Sequence, residues 1–408
     1  MISISPFKAL RPDPQYAREV ASRPYDVLNV KEAKEESLGK PYSFLHVTRS
    51  EIDLPANTDV HSAAVYEKAK ENLNAFIGRG ILFQENKPCY YIYELEMDGR
   101  IQTGLVCCSS VADYENGLIK KHEFTRPEKE QDRVDHITTT NAQTGNVFLA
   151  YRDVADINDI IDNWKKNKTA VYNIHTDDGI RHAVWIINDD KTTDRITELF
   201  KEEVPCTYIA DGHHRAASAA RTKYLLPDYE EAGHFLCTLF PASQLHILDY
   251  NRLVKDLNGM EVDHLLYNLT KNFKVTKAEG ALKPSLPHQF GMYVKGQWYS
   301  LEAREGSYAT DPVNILDVSI LQYNVLAPLF NIHDQRTDPR IDFVGGIRGM
   351  TELEKRVDSG EAAVAFSIYP VSIHQLLDVA DSGNVMPPKS TWFEPKLRDG
   401  LLVHLVNE

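Results

Sequence analysis

The stretch Cys206–Tyr224, CTYIADGHHRAASAARTKY, constrains the fold most strongly, because it joins an apolar strand, a tight turn and a helix. Residues from Thr207 to Asp211 are typical of a buried β-strand, and the alanine-rich segment after Gly212 favours an α-helix. A strand that runs directly into a helix points the first free N–H groups of the helix beyond the strand end. The sequence therefore predicts an α+β, or mixed α/β, fold with a strand-to-helix corner at Asp211.

Glycine-containing pairs elsewhere in the chain favour tight turns between strands. We predict hairpins at Asp98-Gly99, at Lys295-Gly296 and, between the segments TWFEPKL and LLVHLV, at Asp399-Gly400. Apolar residues recur at helical spacing in residues 59–79, whereas the highly charged segment 119–136 is predicted to be a loop that interrupts the sheet. A boundary near residue 240 would separate an N-terminal lobe, 1–240, which carries the corner, from a C-terminal α/β lobe, 241–408.

Composition narrows the class of protein. The chain has 45 Lys and Arg against 59 Asp and Glu, a formal net charge of -14, and no long basic run to neutralise the phosphates of a nucleic acid. The charge balance therefore disfavours nucleic acid as a partner. No segment approaches the roughly 20 apolar residues of a membrane span, and the five cysteines form no C-x-x-C pair. We expect a soluble protein of the reducing cytoplasm, with its oligomeric state open, a homo-oligomer included.

The corner has the chemistry of a phosphate-binding site. A helix N-terminus attracts anions through its free N–H groups and the positive end of its dipole. His213, His214 and Arg215 lie on the first turn, where their donors can add to this attraction, and Arg215 can hold two phosphate oxygens through its planar fork. Gly212 lets the backbone approach closely. We therefore predict that Gly212 and the three residues after it form a phosphate cradle.

Two other interpretations of the corner remain open at this point. Asp211 could be an ordinary helix cap, with one buried histidine and an arginine that pairs with a surface carboxylate. Zinc binding is the other, but it is disfavoured because side chains of adjacent helical residues such as His213 and His214 point about 100° apart. No H-E-x-x-H or C-x-x-C motif supplies further zinc ligands.

Five separated motifs resemble, in order, those of a widespread bacterial family catalogued as a domain of unknown function. They are RPYDVL at 23–28, IKKHEFTRPEKEQDR at 119–133, YIADGHHR at 208–215, RIDFVGG at 340–346 and MPPKSTWFEPKLRDGL at 386–401. The DGHHR corner is in turn similar to that of free serine kinases of the ParB/sulfiredoxin superfamily. This resemblance implies a ParB/sulfiredoxin-like phosphate-binding core with an additional C-terminal α/β lobe. It also implies ATP-dependent phosphorylation of free L-serine.

Phosphoryl transfer needs cations around the migrating group, a metal held by carboxylates, and a base beside the attacking hydroxyl. The cradle Gly212, His213, His214 and Arg215 would hold the phosphates of ATP or ADP. Asp211 is the candidate Mg²⁺ ligand. The catalytic candidates are the carboxylates and the histidine of these motifs, namely Asp26, Glu123, Asp211 and His213.

A second candidate nucleotide contact is the loop stiffened by Pro387-Pro388. Its residues Lys389, Ser390 and Thr391 could close over a nucleotide or a second phosphate, or form a solvated surface turn. The favoured function is a kinase that transfers phosphate from ATP or ADP to the hydroxyl of a free amino acid, L-serine, giving O-phosphoserine. A nucleotide-binding regulatory module and a phosphoester hydrolase that uses a histidine are the alternatives.

Overall fold

The computed structural model describes residues 1–407. Contacts divide the chain into two units, the first formed by Met1–Leu245 together with the residues from Pro395 onward, and the second by His246–Glu394. Helices and several sheets occur together, which confirms the mixed α/β class; the ParB/sulfiredoxin-like core stays a prediction. No helix among residues 1–407 is long and apolar enough to cross a membrane.

The strands are short in the peripheral sheets and longer in the two main sheets. In chain order they are β1 Ile4–Ser5, β2 Leu10–Pro12, β3 Leu82–Gln84, β4 Tyr90–Met97, β5 Arg100–Ser110, β6 Ile119–Lys120, β7 Ala142–Gln143, β8 Val147–Tyr151, β9 Tyr172–His175, β10 Arg181–Ile187, β11 Thr207–Asp211, β12 His234–Pro241, β13 Ile247–Leu248, β14 Tyr250–Val254, β15 Phe273–Lys277, β16 Gln289–Val294, β17 Gln297–Ala303, β18 Ile341–Gly345, β19 Val364–Ile368, β20 Trp392–Phe393 and β21 His404–Leu405.

The α-helices range from single turns to sixteen residues. In chain order they are α1 Ala17–Val20, α2 Val30–Ser37, α3 Leu45–Thr48, α4 Ala63–Gly78, α5 Val111–Glu115, α6 Pro127–Thr140, α7 Ala155–Asn167, α8 Asp190–Glu203, α9 His213–Leu225, α10 Val262–Leu269, α11 Asp317–Leu321, α12 Ala327–Phe330, α13 Gly349–Asp358 and α14 Ile373–Asp381. A π-helical turn, Gln322–Leu326, joins α11 to α12.

The main sheet of the first unit runs in the order β6-β11-β8-β12-β5-β4-β10-β9, with β1 beside β5. Most neighbours are antiparallel, including β4 and β5, which confirms the hairpin at Asp98-Gly99. Two pairs, β6 with β11 and β8 with β12, are parallel. Helix α9 packs its alanines, Ala216 and Ala219 among them, into the apolar core beneath this sheet. This packing fixes the N-terminus of α9 at the end of β11.

The charged segment 119–136 is not the loop predicted from its sequence. It begins with β6, which extends the sheet beside β11, and continues into α6, which packs against α9. Pro127 lies in the first turn of α6, where its missing N–H costs nothing. The many charged residues of this segment do not indicate the helix, whose inner face buries Val134 and Ile137.

The end of the chain returns to the first unit, so the predicted lobe 241–408 is wrong for its last residues. Backbone bridges pair Ser22 with Asp399 and Leu10 with Val403, and β21 pairs with β7. The predicted hairpin at Asp399-Gly400 is also wrong, because its two arms pair elsewhere: β20 pairs with β13, and β21 with β7. A local turn signal cannot reveal partners that lie far away in the sequence.

The second unit is built on a sheet in the order β15-β17-β16-β19-β14-β18. Strands β16 and β17 are antiparallel neighbours, which confirms the hairpin at Lys295-Gly296. Helix α13 covers this sheet with Leu353 and Val357, in an apolar cluster that includes Trp298 and Ala365. The fully buried Arg252 lies on β14 in the same unit.

Candidate functional site

The strand-to-helix corner forms as the sequence predicts. Strand β11 ends at Asp211, α9 begins at His213, and Gly212 between them has a φ of +93°, which only glycine adopts readily. A Cβ at Gly212 would lie 3.2 Å from the guanidinium carbon of Arg215. No side chain in the described part of the protein caps α9, so its first turn offers backbone N–H groups to a ligand.

Arg215 is the centre of a buried network of charges, with only 9% of its side chain exposed. Its Nη1 donates to the backbone oxygen of Asn146, and its Nη2 lies 3.4 Å from Asp26 and 3.5 Å from Asp211. Its Nε is buried and makes no hydrogen bond within residues 1–407. Burial opposes the charged form, but the carboxylates of Asp26 and Asp211 outweigh it and raise the pKa of Arg215. Arg215 is therefore a fixed positive charge at the corner.

Asp211 is held by cations. Its Oδ1 accepts the backbone N–H of Gly212 at 2.9 Å, and its Oδ2 lies 3.2 Å from Lys396 and 3.5 Å from Arg215. Burial alone would raise its pKa, but Lys396 and Arg215 lower it well below the usual range. A carboxylate whose charge is already neutralised by two cations is a poor Mg²⁺ ligand, because those cations repel a further cation. The predicted metal role of Asp211 therefore does not fit its surroundings.

Asp399 is a member of the cluster that the sequence analysis missed. Asp399 is almost fully buried. A Cβ added at Gly145 would lie 3.3 Å from both Asp399 Oδ1 and Arg215 Cδ, so these two side chains lie against the same glycine. Burial raises the pKa of Asp399 to about 7, although Arg215 acts in the opposite direction. The only sequence signal was the pair Asp399-Gly400, which indicated a turn and not a buried acid.

The two histidines of the corner are not the cationic donors that the sequence suggested. Burial lowers the pKa of His214 and lowers that of the more deeply buried His213 much further. The Nε2 of His214 accepts the backbone N–H of Arg126 at 3.0 Å, and that of His213 accepts the N–H of His122 at 3.4 Å. Both rings are neutral near pH 7, so Arg215 alone brings side-chain charge to this turn.

A cavity of about 490 Å³ opens beside the first turn of α9. Its size is within the range of small-molecule sites. Asp26 and His214 face it together. Basic and acidic side chains from α6 and from residues 48–61 complete much of the wall, namely Arg49, Glu51, His61, Glu128, Lys129, Asp132 and Arg133. The cavity thus joins the corner to a surface that carries charges of both signs.

The remaining predicted site residues do not line this cavity. Glu123 lies close to His122 and to His213, the first residue of α9. Lys389, Ser390 and Thr391 belong to the second unit, where Ser390 Oγ donates to the backbone oxygen of Pro387 at 2.6 Å. Lys389 has a φ of +58°, and its Nζ lies 5.7 Å from the ring centre of Tyr250. A nucleotide role for this loop stays a prediction.

The chain belongs to the family described as protein of unknown function (DUF1015), whose model matches residues 4–319. This confirms the resemblance to a family of unknown function. No curated protein matches the sequence significantly.

Several solved structures are similar to this chain over most of their own length. A conserved hypothetical protein from Pyrococcus furiosus is 12% identical, with 74% of this chain and 95% of that chain covered and a TM-score of 0.37. A free serine kinase in complex with AMP is 11% identical, with 72% and 91% covered and a TM-score of 0.37. A C-terminally truncated SbnI from Staphylococcus aureus is 12% identical, with 74% and 87% covered and a TM-score of 0.38. These similarities are distant.

Proposed function

We propose that this protein is a small-molecule kinase that transfers a phosphoryl group from ATP or ADP to the hydroxyl of a free amino acid, with L-serine as acceptor and O-phosphoserine as product. One observation carries the proposal. Asp26, a carboxylate paired with Arg215, and His214, on the first turn of α9, line the same cavity. A phosphate-binding helix start and a candidate base therefore face one space of small-molecule size.

The nucleotide phosphates would bind at the uncapped N-terminus of α9. The free N–H groups of its first turn and the positive end of its dipole favour an anion there. Arg215 adds a permanent positive charge behind this turn, and Lys129 and Arg133 add positive charge on the cavity wall. The nucleotide supplies the activated phosphoryl group, and these protein groups position it and stabilise its charge.

Asp26 is the favoured general base, and Glu123 is not, because Asp26 lines the cavity while Glu123 lies on the flank with His122. The side chain of Asp26 is 32% exposed, so an acceptor in the cavity can reach it. Its carboxylate would accept the proton of the attacking hydroxyl. Its pairing with Arg215 keeps the base next to the phosphate-binding turn.

A free amino acid as acceptor needs a cation for its carboxylate and an anion for its ammonium group. The cavity wall carries both within two ion pairs, Arg133 with Asp132 at 2.6 Å and Arg49 with Glu51 at 2.7 Å. We expect L-serine to be preferred over L-threonine or homoserine by about 1–3 kcal/mol, because one extra carbon moves the hydroxyl or crowds the pocket.

Calorimetric titration with ATP and ADP in Mg²⁺-containing buffer tests the binding step. Arg215→Ala should raise the dissociation constant at least about tenfold, because a hydrogen bond to a charged group contributes roughly 1.5–3 kcal/mol. Arg195→Ala removes a half-exposed arginine from α8 and should leave the constant unchanged. Equal affinities in wild type and Arg215→Ala, with both proteins folded by circular dichroism, would remove the cradle from the proposal.

Turnover tests the base. Asp26→Asn should lower the rate of phosphoryl transfer roughly a hundredfold while the nucleotide dissociation constant stays near that of the wild type. Asp156→Asn, an exposed carboxylate on α7, is the matched control. Nucleotide binding without any transfer in the wild type would favour the regulatory module, and phosphate release to water would favour a hydrolase.

A further inference from the structure

The ends of two parallel strands bring three potential metal ligands together beside the corner. Strands β6 and β11 are parallel neighbours, so their carboxyl ends lie at the same edge of the sheet. His122 and Glu123 follow β6, and His213 follows β11 after Gly212. The segment KKHEF and the corner DGHH are therefore adjacent in space, although about ninety residues separate them.

One ligating atom from each of these residues lies within 4.8 Å of the other two. The rings of His122 and His213 meet edge to face, with their centres 4.5 Å apart. Ligand atoms bound to one Zn²⁺ at about 2.0–2.2 Å are about 3.5 Å apart. Side-chain movements of about an ångström would bring the three ligand atoms to the spacing that one ion requires.

His122 gives independent evidence of a ligand. His122 is only 2% exposed, and neither ring nitrogen makes a hydrogen bond of normal geometry within residues 1–407, although the backbone of Ile209 lies close to the ring. A buried polar group without a partner costs about 1–3 kcal/mol, so native proteins rarely leave one. A metal ion would take the lone pair of this imidazole and remove that cost.

We propose that His122, Glu123 and His213 bind a divalent transition metal ion of the zinc class. Two imidazole nitrogens and one carboxylate oxygen form a donor set that such ions prefer, whereas Mg²⁺ prefers oxygen ligands alone. Three protein ligands also leave a coordination position for water or a substrate. His214 is not part of this ligand group; the second histidine is His122, which follows β6. Metal binding by these residues can be tested without measuring kinase activity.

Cobalt substitution tests the site without any activity assay. The full-length protein is dialysed against a chelator and titrated with Co²⁺, and the visible d–d absorption of the bound ion is followed. We expect saturation at one Co²⁺ per chain, displacement by Zn²⁺ with loss of colour, and no displacement by an equal concentration of Mg²⁺. Zn²⁺ should also raise the thermal unfolding temperature of the chelator-treated protein.

Glu123→Gln and His122→Asn should each weaken Co²⁺ binding at least about tenfold, because loss of a ligand costs no less than loss of a supporting contact. His214 lies on the same turn of α9 as His213 but is not a proposed ligand, so His214→Ala should retain the wild-type affinity for Co²⁺. Glu123 is only half-buried, so its variant should keep the fold even if His122→Asn does not. Unchanged Co²⁺ affinity in a folded Glu123→Gln, or no saturable binding by the wild type, would overturn the proposal.

Discussion

Each of the two units buries an arginine, but the two arginines have opposite surroundings. Arg215 of the first unit contacts the carboxylates of Asp26 and Asp211, and its pKa is raised. Arg252 of the second unit is fully buried, and its described contacts are with uncharged groups. Its guanidinium donates to Gln335 and to the backbone oxygens of Tyr250 and Pro388, and burial lowers its pKa to about 9.

The difference agrees with the ligand-binding role that we propose for Arg215 and with a structural role for Arg252. Arg215 lies in a cluster of acids beside a cavity and an uncapped helix, where its charge can act on a ligand. Arg252 also packs its guanidinium over the ring of Phe343 and holds the loop at Pro388 through a backbone oxygen. Arg252 is fully buried and donates to oxygens of the protein, so its guanidinium is not accessible to a ligand.

The largest expected effect is a difference in stability between two equivalent substitutions. Arg215→Met leaves the partly exposed carboxylates of Asp26 and Asp211 without their buried cation and should lower the free energy of unfolding by about 3 kcal/mol, the lower end for a broken buried ion pair. Arg252→Met leaves only neutral oxygens unpaired and should cost about 1–3 kcal/mol. Urea unfolding of both variants and the wild type measures the difference. A greater loss of unfolding free energy for Arg252→Met than for Arg215→Met would contradict the difference between the two arginines.

A smaller effect should depend on pH. The pKa of Asp399 is raised from 3.8 to about 7, so folding favours its protonated form, and this contribution to stability is lost as the pH rises toward 7. Asp399→Asn cannot ionise. Between pH 5 and pH 8 the variant should therefore gain roughly 2–3 kcal/mol of stability relative to the wild type. Urea unfolding at both pH values measures this gain, with the exposed Asp156→Asn as control. A constant difference between variant and wild type would mean that Asp399 does not titrate in this range.

The smallest effect concerns the glycine that carries the corner. Gly212 and Gly360 have φ angles of +93° and +80°, so alanine at either position adds backbone strain of about 1–2 kcal/mol. A Cβ at Gly212 also lies 3.2 Å from Arg215, whereas none of the surrounding atoms within residues 1–407 comes within 4 Å of one at Gly360. Thermal unfolding should show a further loss of about 1 kcal/mol for Gly212→Ala. Equal losses would mean that Arg215 moves aside without cost.

Local patterns predicted the local structure well. The corner at Asp211, the hairpin at Lys295-Gly296 and the helix that became α4 follow from periodicity and turn residues. The helix α6 was missed because Pro127 and a run of charges are typical of loops as well as of a solvated helix face. Such a pattern becomes helical only where a neighbour such as α9 buries its apolar side.

The sequence predicts the local part of the site but not the contacts between distant segments, because those contacts depend on the tertiary fold. The sequence indicates which residues follow Asp211 on α9, but not which distant carboxylates approach Arg215. Asp399 joins the cluster because the chain returns through the bridge to Ser22, and His122 joins His213 because β6 pairs with β11. The ionisation states depend on burial, so the sequence could not show that His213 and His214 are neutral.

We propose above that the corner transfers phosphate to a small acceptor in its cavity. Mass spectrometry of the small-molecule fraction, after incubation of the protein with L-serine and ATP whose terminal phosphate carries ¹⁸O, measures this transfer. We expect O-phosphoserine that carries the label, formed by the wild type and by Arg252→Met, and strongly reduced in Asp26→Asn. Absence of phosphoserine from the wild type with either ATP or ADP as donor, while nucleotide still binds, would contradict it.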